Sequence, residues 1–216
     1  MASHEFRTPL TTVLSSASLL AKYTATEDQE KRNKHIQRIK NSVNNLNEVL
    51  EDFLSLGKLN EGKLDIKQEL INLRELLADT VEEMKALLKK DQFFLLEYEG
   101  VENVVTDKAL LRNILVNLVS NAIKFSDEGK AITIKGKVTS DRVAISVTDE
   151  GIGISKEDQE HLFSSFFRAA NATNIQGTGL GLHIVKRYVD LLGGEVGVQS
   201  ELNKGTIINF SIPINV

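Results

Sequence analysis

Leu110-Leu111-Arg112-Asn113-Ile114-Leu115-Val116-Asn117-Leu118-Val119-Ser120-Asn121-Ala122-Ile123-Lys124-Phe125 decides how the second half of the chain folds. Leu111, Leu115, Leu118, Ala122 and Phe125 recur at alternating spacings of four and three. That period predicts an amphipathic helix from about Asp107 to Phe125. Beside it runs a second stripe, Leu110, Ile114, Asn117, Asn121 and Lys124, which turns from apolar to polar along its length. Two carboxamides and an ammonium on one helix face can converge on a common ligand. Amide oxygens are hard donors suited to Mg2+, and lysine suits phosphate. A solvated helix face is the competing reading.

Downstream, strands near 131–138 and 142–149 form a hairpin around Ser140-Asp141. Val143, Ile145 and Val147 share one face of the second strand, and Asp149 is in phase with them. An inward carboxylate costs roughly 2–7 kcal/mol or more unless it is paired or hydrogen-bonded. It can accept from an exocyclic amine such as that of adenine, whereas guanine offers a carbonyl at the matching position. Gly151 and Gly153 follow and allow close approach to the backbone. The plainer alternative is a turn aspartate at a strand end. Gly177-Thr178-Gly179-Leu180-Gly181 then opens a helix reaching about Leu192, where Gly193-Gly194 stops it. Glycines that free backbone amides at a helix N-terminus make a phosphate site. Neither the dinucleotide fingerprint nor a P-loop is present. Phe163, Phe166 and Phe167 anchor one end of a mobile lid, leaving Arg168 free to reach phosphate oxygens.

Upstream, Leu64, Ile66 and Gln68 predict a strand. Asn72 caps a helix carrying Leu73, Leu77, Val81, Met84 and Leu88, and a strand follows near Phe93 to Tyr98. Two last strands lie near 195–200 and 206–212. Strand neighbours in sequence indicate a mostly antiparallel sheet with helices on one face.

The N-terminal third reads differently. Phe6, Leu10, Val13, Ala17 and Leu20, then Ile36, Ile39, Val43, Leu46, Leu50 and Phe53, follow heptad spacing. Thr26 and Gln29 have the spacing of a capping box for the second helix. A turn centred near Ala25 sets His4 opposite Leu46, leaving Val49, Leu50, Phe53 and Leu54 uncovered. On that reading the natural first helix starts upstream and the chain is a fragment. Two narrow seams bury little, so a four-helix bundle from two chains is expected. The fold class is therefore α+β: a two-helix hairpin over 1–58, and an α/β sandwich over 59–216 beyond breakers at Gly57, Asn60 and Gly62. His4 falls beside the seam, where a largely neutral imidazole is a competent nucleophile with Glu5 adjacent to orient or deprotonate it. His35, His161 and His183 are read as surface residues.

The 216 residues are 41% hydrophobic and 26% charged, ordinary for a globular protein. A net charge of −4 argues against nucleic acid as the main ligand. The absence of cysteine excludes disulfides and thiolate catalysis. No apolar run approaches the roughly 18 residues of a membrane span.

Taken together, Ser3 to Leu10, Asn117 to Phe125, Asp149 to Gly153, Phe163 to Arg168, Gly177 to Gly181 and Gly205-Thr206 closely resemble, in order, the phospho-acceptor, N, first glycine, F, second glycine and small terminal glycine boxes of bacterial sensor histidine kinases. The resemblance implies a dimerisation and phosphotransfer hairpin followed by a Bergerat-type ATP-binding domain. It makes His4 the phosphorylated residue, Glu5 its acid/base partner and Thr8 the residue that positions water for dephosphorylating a partner. It further implies ATP and Mg2+, with Asn121 as metal ligand. Asn117, Lys124, Asp149, Gly151, Gly153, Phe163, Arg168, Gly177, Thr178, Gly179, Leu180, Gly181 and Thr206 would surround the nucleotide. The implied partners are a response regulator receiver domain and a second copy of the chain. The implied location is the cytosolic side of a sensor whose membrane attachment lies in upstream segments. The alternatives are an ATPase clamp of the same superfamily and a scaffold acting mainly as a phosphatase.

Overall fold

The computed structural model describes residues 2–60, 65–173, 175 and 177–214, with side chains for all of these except 2–5, 48, 58 and 60. Two compact units emerge, Met1–Lys63 and Leu64–Val216.

The first unit is an antiparallel hairpin of α1 (Ala2–Leu20) and α2 (Gln29–Asn60), with a 3-10 turn at Thr26–Asp28 leading into α2. The turn is built differently from a capping box. Ala25 stands at the N-cap position, and no side chain caps the turn. Arg32 does the fastening: its guanidinium donates to the carbonyls of Tyr23 and Ala25, both at 2.9 Å, and to Gln29 Oε1 at 2.7 Å. The chain between the helices therefore folds back along α2 instead of turning tightly at Ala25. Tyr23 stacks on His35, and Phe6 meets Phe53 edge-on at 6.5 Å. Phe6 and Tyr23 thus face α2 some eight or nine positions beyond the symmetric expectation. The predicted overhang holds for three of its four residues and fails for one: Leu50, Phe53 and Leu54 are about half exposed, Phe53 despite its edge contact with Phe6, whereas Val49 is buried. Helix α2 also runs through Gly57, whose cost of about 1 kcal/mol does not end a helix held by packing. The remainder of the expected boundary, 61–63, lies outside the described residues.

The apolar seam splits into two stripes. Pro9, Ser16, His35, Ser42 and Val49 are buried, so His35 is a core residue and not the surface histidine expected. Leu10, Leu14, Ile36, Val43 and Leu50 remain exposed.

In the second unit β1 (Glu69–Asn72) pairs antiparallel with β3 (Asn103–Thr106), a strand not anticipated. The predicted strand over 64–68 is displaced: Leu64 lies outside the described residues and 65–68 is irregular, with the Lys67 amide donating to Asp107 Oδ2. α3 (Leu73–Met84) is capped by Asn72, which accepts from the Glu75 amide at 2.9 Å. The main sheet has the order β2 (Phe93–Glu99), β4 (Ala131–Val138), β5 (Arg142–Asp149), β7 (Gly205–Pro213) and β6 (Glu195–Glu201). Only β2 and β4 run parallel; the other pairs are antiparallel.

Alternation decides which face is covered. Ile132, Ile134, Val143, Ile145, Val147, Ile208, Phe210 and Ile212 are buried, while Lys135, Lys137 and Ala144 on the other face are exposed. α4 (Lys108–Phe125) fills the buried side with Leu111, Ile114, Leu115 and Leu118, each at most 2% exposed. It packs against α3 and against α6 (Gly181–Leu191), and a short helix, α5 (Lys156–Gln159), follows β5. No helix among the described residues is long and apolar enough to cross a membrane.

Candidate nucleotide site

α4 supplies the first wall. Asp107 is its N-cap, with Oδ1 accepting from the Leu110 amide at 2.9 Å. The other end is closed by Lys89, whose ammonium donates to the carbonyls of Lys124 and Ser126, and by Gln92, which donates to those of Ile123 and Asp127. A cation and an amide thus satisfy the orphan carbonyls of the helix C-terminus. With both ends fixed, Asn117, Asn121 and Lys124 lie half-buried along one side, in line with the fully buried Leu110 and Ile114.

The second glycine segment closes against this side. A Cβ at Gly181 would lie 2.8 Å from Asn117 Oδ1, and one at Gly177 would lie 2.6 Å from Lys124 Nζ. A side chain at either position would have to displace the end of one of these polar groups, so the glycine backbone runs close against the polar stripe. The carboxamide of Asn117 donates to its own helix at Asn113 and turns its oxygen toward Gly181. Gly179 is left-handed at φ +71. The hydroxyl of Thr178 accepts from the Leu180 amide at 3.1 Å. α6 then starts without a side-chain cap. Its first amides, left unpaired by the helix, form the positive end of its dipole.

Asp149 ends β5 opposite Thr206 on β7 and Ile132 on β4. Its carboxylate accepts from the Gly151 amide at 2.8 Å and from the backbone N–H of Thr206. Burial outweighs these donors and pushes its pKa from an ordinary 3.8 up to about 6. A Cβ at Gly151 would collide with the Phe125 carbonyl at 2.2 Å, so glycine lets the strand end dock on the α4 terminus. Gly153 is left-handed at φ +65, against the Glu201 carbonyl. The hydroxyls of Thr206 and Ser200 are 2.9 Å apart.

Between the two glycine segments Phe163 is half-buried and Arg168 is not free. The Arg168 guanidinium donates to the carbonyls of Ala172, Thr173 and Ile175, so it organises this loop from within, contrary to the free arm expected from sequence. Asn171 Nδ2 donates to the Gly153 carbonyl at 2.8 Å, tying the loop to the first glycine segment. Sequence reading missed Asp107, Lys89, Gln92, Asn171 and His183; only Asp107, a capping residue type just before a helical period, carried a local signal.

His4, Glu5 and Thr8 lie on α1 of the other unit. The side chains of His4 and Glu5 are outside the described part, and Thr8 is exposed. Positions 4 and 8 share a helix face by spacing.

Residues 106–216 match the family described as histidine kinase-, DNA gyrase B-, and HSP90-like ATPase, and residues 1–62 match the His Kinase A (phospho-acceptor) domain. The class is thus an ATPase-type α/β unit joined to a phospho-acceptor hairpin. The chain belongs to the sensor histidine kinases, as a catalytic core of that family. It is 37% identical to the sensor histidine kinase GacS of Pseudomonas protegens over 99% of its own length and 24% of that protein's. The chain therefore spans about a quarter of the length of such relatives. Among solved structures it resembles full-length ShkA in complex with AMPPNP, with TM-score 0.74 and 29% identity over 99% of this chain and 45% of that one. It shares its fold with histidine kinase ThkA in complex with response regulator protein TrrA, with TM-score 0.72 and 24% identity over 99% of this chain and 60% of that one.

Proposed function

We propose that this chain takes the γ-phosphoryl group of ATP onto His4 and passes it to an aspartate of a response regulator receiver domain. An imidazole nitrogen of His4 attacks the γ-phosphorus. The bond to the bridging oxygen breaks, ADP leaves, and the imidazole proton passes to Glu5. The aspartate carboxylate then displaces the phosphoryl group from the histidine. In this reading Asp149 accepts from the adenine amine, and Gly151, Gly153 and Thr206 shape that end. Lys124, Asn117 and the amides of Gly177 to Gly181 meet the triphosphate, with Phe163 and Arg168 ordering the loop above it. The observation that carries this assignment is the contact of the glycine segment with Asn117 and Lys124, a cradle that a Cβ would fill.

Mg2+ fits the donors available. Among the described residues there is no cluster of three or more His, Asp or Glu able to cage a metal. Asn121 offers one hard oxygen, which suits an ion that keeps waters and phosphate oxygens. When bound, Mg2+ supplies charge neutralisation on the phosphates.

The exposed stripe of Leu10, Leu14, Ile36, Val43 and Leu50 supports pairing of two hairpins into a four-helix bundle. The reading places the chain in the cytosol, where ATP and regulators reside, with membrane attachment through upstream segments of a longer parent. It also assigns a phosphatase activity to the exposed Thr8, by water positioning. Incubation with labelled ATP should give acid-labile, base-stable label on the protein; release of free phosphate alone would reduce it to an ATPase. Thr8→Ala should spare self-labelling and slow decay of phosphorylated regulator, followed by gel; equal decay with both proteins removes Thr8 from that role.

A further inference from the structure

We propose that His183 is a positioning residue that fastens the Phe163–Arg168 segment to the first turn of α6 and thereby sets ATP affinity. The proposal rests on the reading of that first turn as the triphosphate end of the site.

The first intrahelical bond of α6 runs from the Ile184 amide to the Leu180 carbonyl, at 2.9 Å. The amides of Gly181, Leu182 and His183 therefore lie in the turn that faces an anion. His183 Nδ1 is 3.0 Å from the Phe163 carbonyl oxygen. A carbonyl only accepts, so Nδ1 carries a proton and donates.

The same two segments touch at a second place. A Cβ at Gly179 would stand 2.7 Å from the Phe167 carbonyl oxygen and 2.9 Å from the Phe166 carbonyl carbon. Phe166 is itself held at φ 62, a conformation an aromatic residue keeps only when its surroundings impose it. Further bonds hold the loop beyond this segment. Arg168 holds three carbonyls of the loop, Asp158 accepts from the Ala170 amide at 3.1 Å, and Asn171 reaches Gly153. The imidazole of His183 thus ties the start of the loop to the helix end that receives phosphate, and Asn171 ties its far side to the adenine end. Removing the His183 bond frees the segment to leave that arrangement, and ATP must then restore it at the expense of affinity. Adenosine, which engages only the Asp149 end, is indifferent.

Asparagine carries its N–H at the position of Nδ1, and glutamine carries its own at the position of Nε2. The full chain with His183→Asn and His183→Gln separates the bond from mere bulk or polarity. By calorimetry, His183→Asn should hold ATP within about twofold of wild type. His183→Gln should lose about tenfold, the size of one net hydrogen bond, with KM for ATP rising by the same factor and kcat little changed. Adenosine affinity should be the same in all three proteins and reports that the unit is folded. Equal ATP affinities, the reverse ranking, or parallel loss of ATP and adenosine overturn the proposal. A wild-type chain that binds neither ligand overturns the site reading as well; one that binds both confines any failure to His183.

Discussion

The two units put their apolar residues in opposite places. In the hairpin the inward side carries Ser16, His35 and Ser42, each under 9% exposed, while Leu14 is 69% and Leu50 48% exposed. In the α/β unit the interior is Leu73, Leu77, Leu111, Leu115, Ile132, Ile145 and Phe210, and the buried polar residues Thr80, Gln92 and Asp107 are hydrogen-bonded. The second unit closes its core within one chain. The first leaves its apolar stripe for something else to cover, and a second copy of the same stripe is the simplest cover. In the function proposed above, chemistry divides along the same line: His4, the proposed nucleophile, is on the open unit and the proposed nucleotide groups are on the closed one.

That division is broken most sharply at His4. His4→Gln should abolish self-phosphorylation and leave ATP affinity within about twofold, measured by labelling and calorimetry. A large loss of ATP binding would show that the two units do not divide the work.

The next largest effect lies on the exposed stripe. Each covered apolar side chain is worth roughly 1.5–3 kcal/mol. Val43→Glu with Leu50→Glu should therefore weaken a hairpin dimer by on the order of a hundredfold or more, seen by sedimentation over a concentration series. Adenosine binding by the α/β unit should not change. Unaltered dimer constants would mean that another surface pairs the chains.

Within the closed unit, Asp149→Asn should cost ATP binding about 1.5–3 kcal/mol, the scale of a hydrogen bond to a charged group. GTP should bind weakly to both proteins. Equal wild-type affinity for ATP and GTP removes Asp149 from the adenine role.

How much of this was legible follows from where the information sits. The stripes of α4 and the phase of Asp149 are periodic, and the periods of helix and strand carry them to the correct faces. The hairpin was legible as two heptad helices, but not which of two adjacent stripes faces inward. That depends on the register, which Arg32 sets through carbonyls of the connection. The four-residue strand β3 is too short to show a period and exists because β1 pairs with it. Arg168 was recognised as a residue and misread as an arm, because its partners are carbonyls of an aperiodic loop. His183 gave no signal, since its partner Phe163 is a backbone atom twenty residues away.

The smallest expected effect is one of pH, and it concerns the closed unit alone. Burial raises the Asp149 pKa from an ordinary 3.8 to about 6. Between those values the folded chain keeps a proton that the unfolded chain has released. Stability contributed by Asp149 is therefore greatest below the lower value, falls as pH rises through the window, and stays at the reduced level above about 6. Two pH units correspond to about 3 kcal/mol at most, and partial solvent contact brings the expected difference to about 1–2 kcal/mol. The measurement is the unfolding free energy of wild type minus that of Asp149→Asn across the window, which cancels the titration of Asp28, Glu102 and other carboxylates. Adenosine binding should move the other way, strengthening as pH rises through about 6, because the ionised carboxylate is the better acceptor for an amine. Adenosine is preferred to ATP here because it lacks phosphates that titrate. A hairpin transition that shifted with Asp149→Asn while the α/β transition did not would reverse the assignment of this buried carboxylate to the unit that closes its own core.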